Sequence, residues 1–122
     1  MKKESLWKNP AKIFSMSYSI IVTPTFERDA KQLLKKYKSL SNDLAILFET
    51  LEKEPTQGAP LGNNCYKIRL LIKSKSRGKS GGARVITCVK ITSNRIYLLS
   101  IYDKTEKENI TDKELKQLLK FI

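Results

Sequence analysis

The 122-residue chain contains no histidine, only two cysteines and, between Glu54 and Asp103, not one acidic residue. Each absence removes a class of chemistry. Without histidine there is no imidazole acid or base, no Ser-His or Cys-His nucleophile pair, and little prospect of a catalytic zinc. Cys65 and Cys88 lack metal-ligand spacing and read as small buried apolar residues. A disulfide between them is geometrically open if their strands are neighbours, although two cysteines without a secretion signal suggest a reducing compartment. The acids cluster in the helical segments and towards the C-terminus, which gives a paired-carboxylate metal site little support. The GxxxxGK[ST] phosphate loop is missing as well: Arg77-Gly78-Lys79-Ser80 lacks the earlier glycine. No cofactor and no metal is expected. No apolar window approaches the ~20 residues of a membrane span, and charge and Pro10 interrupt every apolar run in residues 1–15 before signal-peptide length. That segment is expected to be a loosely ordered extension, with one compact domain over residues 16–122 and a cytoplasmic location.

What the chain does hold is positive charge. Lys plus Arg number 24 against 12 Asp plus Glu, a formal net charge of +12. The acid-free stretch carries Lys67, Arg69, Lys73, Lys75, Arg77, Lys79, Arg84, Lys90 and Arg95, interleaved with Tyr66, Ile68, Leu70, Val85, Ile86, Ile96 and Leu98. The apolar residues between the charges read as buried strand, so the field is built into the fold and not carried on a tail. Fixed cations of one sign suit a polyanion, because they meet phosphates with little ordering cost and raise local potential and association rate.

Periodicity orders the elements. Tyr18 to Thr23 alternates as a first strand that Pro24 ends, with Thr25 as the expected N-cap of a helix. Phe26, Ala30, Leu33, Leu34 and Tyr37 then form one helical stripe. Leu40, Leu44, Leu47, Phe48 and Leu51 form another, with Ser41 or Asn42 able to cap it. Two such stripes a few residues apart predict an antiparallel helical hairpin, closed by the Pro- and Gly-containing segment 54–60. From Tyr66 the period becomes two. Lys73 to Gly82 has the composition of a mobile turn, and Ala83–Ile91 and Arg95–Tyr102 read as strands around Thr92-Ser93-Asn94. Thr111 with Glu114 is a capping-box signature for a short terminal helix holding Leu115, Leu118 and Leu119. The result is an α+β domain: an N-terminal strand, a helical hairpin, a largely antiparallel sheet of about four strands, helices on one face and cations on the other.

Three stretches carry a family resemblance: Cys65-Tyr66-Lys67-Ile68-Arg69-Leu70, Gly81-Gly82-Ala83-Arg84-Val85-Ile86, and Ile96 through Ile110 with its Tyr102-Asp103-Lys104-Thr105-Glu106-Lys107-Glu108-Asn109 run. They resemble the RelE/ParE toxin superfamily, and within it the HigB-like branch. The resemblance implies a RelE-like fold and the toxin of a type II toxin-antitoxin module that enters the ribosomal A site and cuts mRNA without metal. It further implies a cognate antitoxin partner, DNA operator contact only through the toxin-antitoxin complex, and no membrane. By the resemblance Arg69 and Arg84 are catalytic. Where RelE has a C-terminal arginine and tyrosine this chain aligns Thr105 and Thr111, so Lys104 is the expected catalytic substitute, with Lys107 close by and Tyr102 offering a phenol. Lys67, Lys73, Lys75, Arg77, Lys79 and Lys107 are expected to bind RNA. The residues admit two other functions, a ParE-like gyrase inhibitor and a non-catalytic nucleic-acid-binding module.

Overall fold

A computed structural model describes residues 18–74, 82–107, 109–120 and 122. The expected extension over residues 1–15 therefore lies outside the described residues. The first element among the described residues is β1 (Ser19–Val22), followed by α1 (Pro24–Lys36) and α2 (Leu40–Lys53). Thr23, not Thr25, caps α1: its hydroxyl oxygen accepts from the Phe26 amide at 3.3 Å. Proline explains the shift, because its fixed φ and missing N–H suit the first helical position, which Pro24 takes. The same Thr23 hydroxyl donates to the Leu98 carbonyl at 2.8 Å, so one side chain joins strand end, helix start and sheet. The second helix begins earlier than Ser41 or Asn42, with Ser39 in the cap position and its hydroxyl bonded to the Asp43 carboxylate at 2.6 Å.

After the hairpin come β2 (Ala59–Gly62), β3 (Cys65–Leu70), β4 (Ala83–Lys90), β5 (Arg95–Asp103) and α3 (Asp112–Leu119). Among the described residues the sheet has five strands in the order β1-β5-β4-β3-β2, with β1 parallel to β5 and the other pairs antiparallel. The fifth strand is β2, which the sequence presented as a loop. Its Pro60 and Gly62 read as breakers, yet an edge strand tolerates a proline that has no ladder bond to donate.

Phe26, Ala30, Leu33, Leu44 and Leu51 from the helical hairpin pack on Ile68, Leu70, Val85, Ile96 and Leu98. Each fully buried large side chain contributes about 1.5–3 kcal/mol. Ile68, Val85 and Ile101 form one row across three strands on this face. The opposite face differs from the expected all-cationic surface, because α3 lies there. Leu115, Leu118 and Leu119 cover a second cluster with Ile86, Leu99, Cys65 and Cys88. The predicted capping box is complete, Thr111 accepting from the Glu114 amide at 3.1 Å and donating its own amide to Glu114 at 2.9 Å. Cys65 and Cys88 are directly opposed on β3 and β4 and are free thiols.

Candidate nucleic-acid interface

The alternation of side chains along β3 puts Lys67 and Arg69 on the face away from the helical hairpin. β3 and β4 pair without irregularity from Cys65↔Cys88 to Leu70↔Ala83. The Val89 amide donates to the Asn64 carbonyl at 2.9 Å. Counting from that bond, Arg69 and Arg84 form a non-hydrogen-bonded pair, whose Cα atoms stand only ~4.5 Å apart. On its other side Arg84 is opposed by Tyr102 of β5. Arg69, Arg84 and Tyr102 thus form a row beside the apolar row Ile68, Val85 and Ile101, pointing the opposite way.

A cleft of about 430 Å³ opens over the two arginines of this row, lined by Gly58, Ala59, Lys67, Arg69, Arg84, Lys104 and Asn109. No described residue lining it is acidic. Arg84 is only 6% exposed and its guanidinium donates to the Ala83 carbonyl at 3.1 Å, which holds it against the sheet. Arg69 opposite is exposed. Lys67 donates to the Asn109 side-chain oxygen at 2.6 Å, so the lysine leans across the cleft towards the chain leaving β5. The Lys104 amide bonds to the Gly82 carbonyl at 3.1 Å, which extends the β4-β5 ladder by one position and seats Lys104 at the rim.

Two glycines make this geometry sterically available. At Gly58, φ is +102° and a Cβ would stand 2.6 Å from the Lys67 carbonyl oxygen; at Gly82, φ is +84° and a Cβ would stand 2.3 Å from that of Leu70. Any side chain at either position would push its segment off the strand that carries Lys67 and Arg69.

Like charges directly opposed across strands destabilise a sheet by roughly 0.2–1 kcal/mol. Here the pair is flanked by two more cations, and an anion between them would convert repulsion into attraction. Guanidinium groups bind phosphate oxygens bidentately, and lysines act as point charges on either side. The arrangement can hold a phosphodiester and stabilise charge that develops on it.

Tyr102 sits at the other end of the row. Its ring lies 5.1 Å from the Lys107 ammonium, and its buried hydroxyl finds no partner among the described residues. Burial pushes the phenol above its ordinary range, Arg84 pulls it down and Glu114 pushes it up. Lys107 is paired with Glu114 at 2.6 Å, and that bond, with the Thr111 amide, holds the Glu114 carboxyl below its usual value. Both residues line a separate cavity of about 440 Å³ bordered by α1, β5 and α3, where Asp29 and Glu106 also stand. Acids on its walls deny that cavity a field of one sign.

Of the sequence-derived site residues, Lys67, Arg69, Arg84 and Lys104 converge on the cleft. Lys107 does not line it. Lys73 stands exposed where the chain leaves the sheet, its amide bonded to Asp43 at 3.2 Å; Lys75, Arg77 and Lys79 lie outside the described residues. Thr105 and Thr111 are local: the first bonds to Asp103, the second caps α3. The sequence reading missed Gly58, Ala59 and Asn109; for Asn109 the signal was its place in the Glu-Asn motif.

Residues 19–121 match the model of the RelE toxin family, described as the RelE toxin of the RelE/RelB toxin-antitoxin system. The chain belongs to the RelE toxin family. Among solved structures it is similar to E. coli toxin RelE, an arginine-to-alanine mutant in the free state, at 18% identity and a TM-score of 0.57, covering 88% of this chain and 99% of that one. It is also similar to the RelBE2 toxin-antitoxin complex of Mycobacterium tuberculosis, at 17% identity and a TM-score of 0.52, covering 72% of this chain and 99% of that one. Both similarities are of fold.

Proposed function

We propose that this protein is a metal-independent endoribonuclease that cuts mRNA in the ribosomal A site, the toxin of a type II module neutralised in the cytoplasm by a cognate antitoxin. The observation that carries the reading is the directly opposed pair Arg69 and Arg84, flanked by Lys67 and Lys104 in a cleft whose described lining holds no acid. In this scheme the 2'-oxygen of the RNA attacks the adjacent phosphorus, forming the O2'–P bond of a 2',3'-cyclic phosphate as its proton passes to solvent water. Arg84 and Arg69 hold the non-bridging oxygens as they gain charge, and Lys104 at the rim donates towards the leaving 5'-oxygen. The bond that breaks is P–O5', and the leaving oxygen departs as a hydroxyl. Lys67 and the exposed Lys73 hold the flanking backbone, with Lys75, Arg77 and Lys79 of the following loop as further phosphate contacts. An antitoxin segment rich in carboxylates would satisfy the same cations, which agrees with the RelBE2 neighbour being a toxin-antitoxin complex. Operator DNA would be met only through that assembly.

The test is cleavage of mRNA on programmed ribosomes by the purified chain, mapped by primer extension. The parent should cut within the A-site codon, and Arg84→Ala should cut about 10²–10³-fold more slowly, the usual cost of losing one donor to a developing oxyanion, while keeping the parent's circular dichroism. Equal cutting by Arg84→Ala would overturn the proposal. So would intact mRNA together with inhibition of gyrase supercoiling, the ParE-like outcome, or RNA binding without cleavage.

A further inference from the structure

The last residue of β5 connects the helical hairpin to the cleft, and nothing in the proposed chemistry uses it. Asp103 is 1% exposed and faces away from the cleft, yet it is the residue immediately before Lys104. One carboxylate oxygen accepts the Tyr37 hydroxyl of the α1 C-terminus at 2.7 Å, with the Lys36 ammonium 3.9 Å away. The other accepts both the amide and the hydroxyl of Thr105, at 3.0 and 2.8 Å. Its carbonyl accepts the amides of Glu106 and Lys107 at 3.0 and 3.2 Å. The chain therefore turns sharply on Asp103 the moment it leaves the sheet, and Lys104 is the first residue of that turn. The bond to Asp103 is also the largest reason why the Tyr37 phenol is pushed up to about 12.

We propose that Asp103 is the positioning residue of the cleft: held by Tyr37 and Lys36 from behind, it fixes the turn that aims Lys104 at the substrate. This rests on the reading of the cleft as an RNA-cleaving site. The carboxylate suits the task because it is acceptor-only, so a single buried group receives the hairpin's hydroxyl on one oxygen and the turn's two donors on the other. An amide in its place would present an N–H₂ to one of those two donor sets.

The experiment is a double-mutant cycle on the full chain, read as single-turnover cleavage on programmed ribosomes with melting temperature measured alongside. The singles are Tyr37→Phe, Asp103→Asn and Lys104→Ala; the doubles combine each of the first two with the third. Tyr37→Phe and Asp103→Asn should each slow cleavage about tenfold at unchanged ribosome affinity, and neither should slow it further when Lys104 is already alanine. Asp103→Asn, which keeps one acceptor oxygen, should cut faster than Asp103→Ala. Tyr37→Phe removes a single hydroxyl near the surface and so remains informative if the Asp103 variants fold poorly. Equal fold-losses in the Lys104 and Lys104→Ala backgrounds would overturn the proposal, because the effect would then be general structure and not the aim of Lys104. Full activity of Lys104→Ala beside an inactive Arg84→Ala would overturn it while leaving the nuclease reading intact; full activity of both would remove that reading as well.

Discussion

Replacing Arg69 by glutamine moves stability and activity in opposite directions, which a structural cation would not do. Arg69 is exposed and stands directly opposite Arg84. Its removal leaves no buried void and relieves a like-charge contact of roughly 0.2–1 kcal/mol. For a domain of this length 1 kcal/mol corresponds to roughly 3–5 °C, so Arg69→Gln should melt about 1–5 °C above the parent at low ionic strength. The gain should shrink towards zero near 1 M salt, where the Debye length falls to about 3 Å and the repulsion is already screened. Cleavage should fall about 10²–10³-fold, because one charge-assisted donor to the phosphate is gone. Inorganic phosphate sharpens the contrast: a ligand held only by the native state stabilises by RT ln(1 + [L]/Kd), about 2.7 kcal/mol at a hundredfold excess over Kd. Arg69→Gln should therefore show a smaller phosphate-induced shift than the parent. Differential scanning fluorimetry across a salt series, with and without phosphate, gives all three readings. A variant that melts lower than the parent, responds equally to phosphate and still cuts RNA would refute the claim that the opposed arginines form an anion site.

Three further outcomes follow from the same geometry. Gly58→Ala should destabilise the domain by about 1–3 kcal/mol and weaken RNA binding, because the methyl meets the Lys67 carbonyl in a left-handed backbone; a urea melt and a filter-binding titration read the two effects. Thr111→Ala removes the capping box of α3 and should cost about 1 kcal/mol, with faster amide exchange confined to that helix. Tyr37, held protonated by Asp103, has its phenol raised from 10.0 to about 12. Its contribution is fully present below pH 10 and is lost as pH climbs towards 12. Because the group is partly exposed the loss is screened to ~1 kcal/mol or less, and the difference between parent and Tyr37→Phe in urea melts should vanish over that window.

Amphipathic elements were readable from the sequence, and elements that bury little were not. The stripes of α1 and α2 and the two-residue period of β3 each mark a surface that must be covered, so they announce themselves. β2 is four residues, none of them fully buried, and nothing in Ala59-Pro60-Leu61-Gly62 alternates. The face chosen by α3 was hidden for a different reason. β4 is buried continuously from Ala83 to Val89, and opposite its Ile86 and Thr87 the register skips Leu99 of β5, which resets which β5 residues point where. A strand apolar on both faces gives no hint of which half a short helix will cover. In the site, the motifs located Arg69, Arg84 and Lys104, but their convergence depends on the register of β3 against β4 across a long connection, which pattern alone does not set. That Lys107 would line the other cavity was not legible, because its partner, Glu114, lies seven residues on in a separate element.

Two carboxylates among the described residues bear on the cleft from outside it. Among the described residues Asp103 adjoins Lys104, and Glu114 is near enough to perturb Tyr102 beside Arg84. Each is engaged elsewhere. Asp103 is turned to the helix face and bonded to Tyr37 and Thr105; Glu114 is bonded to Lys107 and to the start of α3. Were either to reach the arginines, an intramolecular ion pair would occupy the site with no translational entropy to overcome, and an incoming phosphate would have to displace it. The hydrogen bonds of these two carboxylates thus shape the cleft indirectly, by holding their own negative charge away from Arg69 and Arg84.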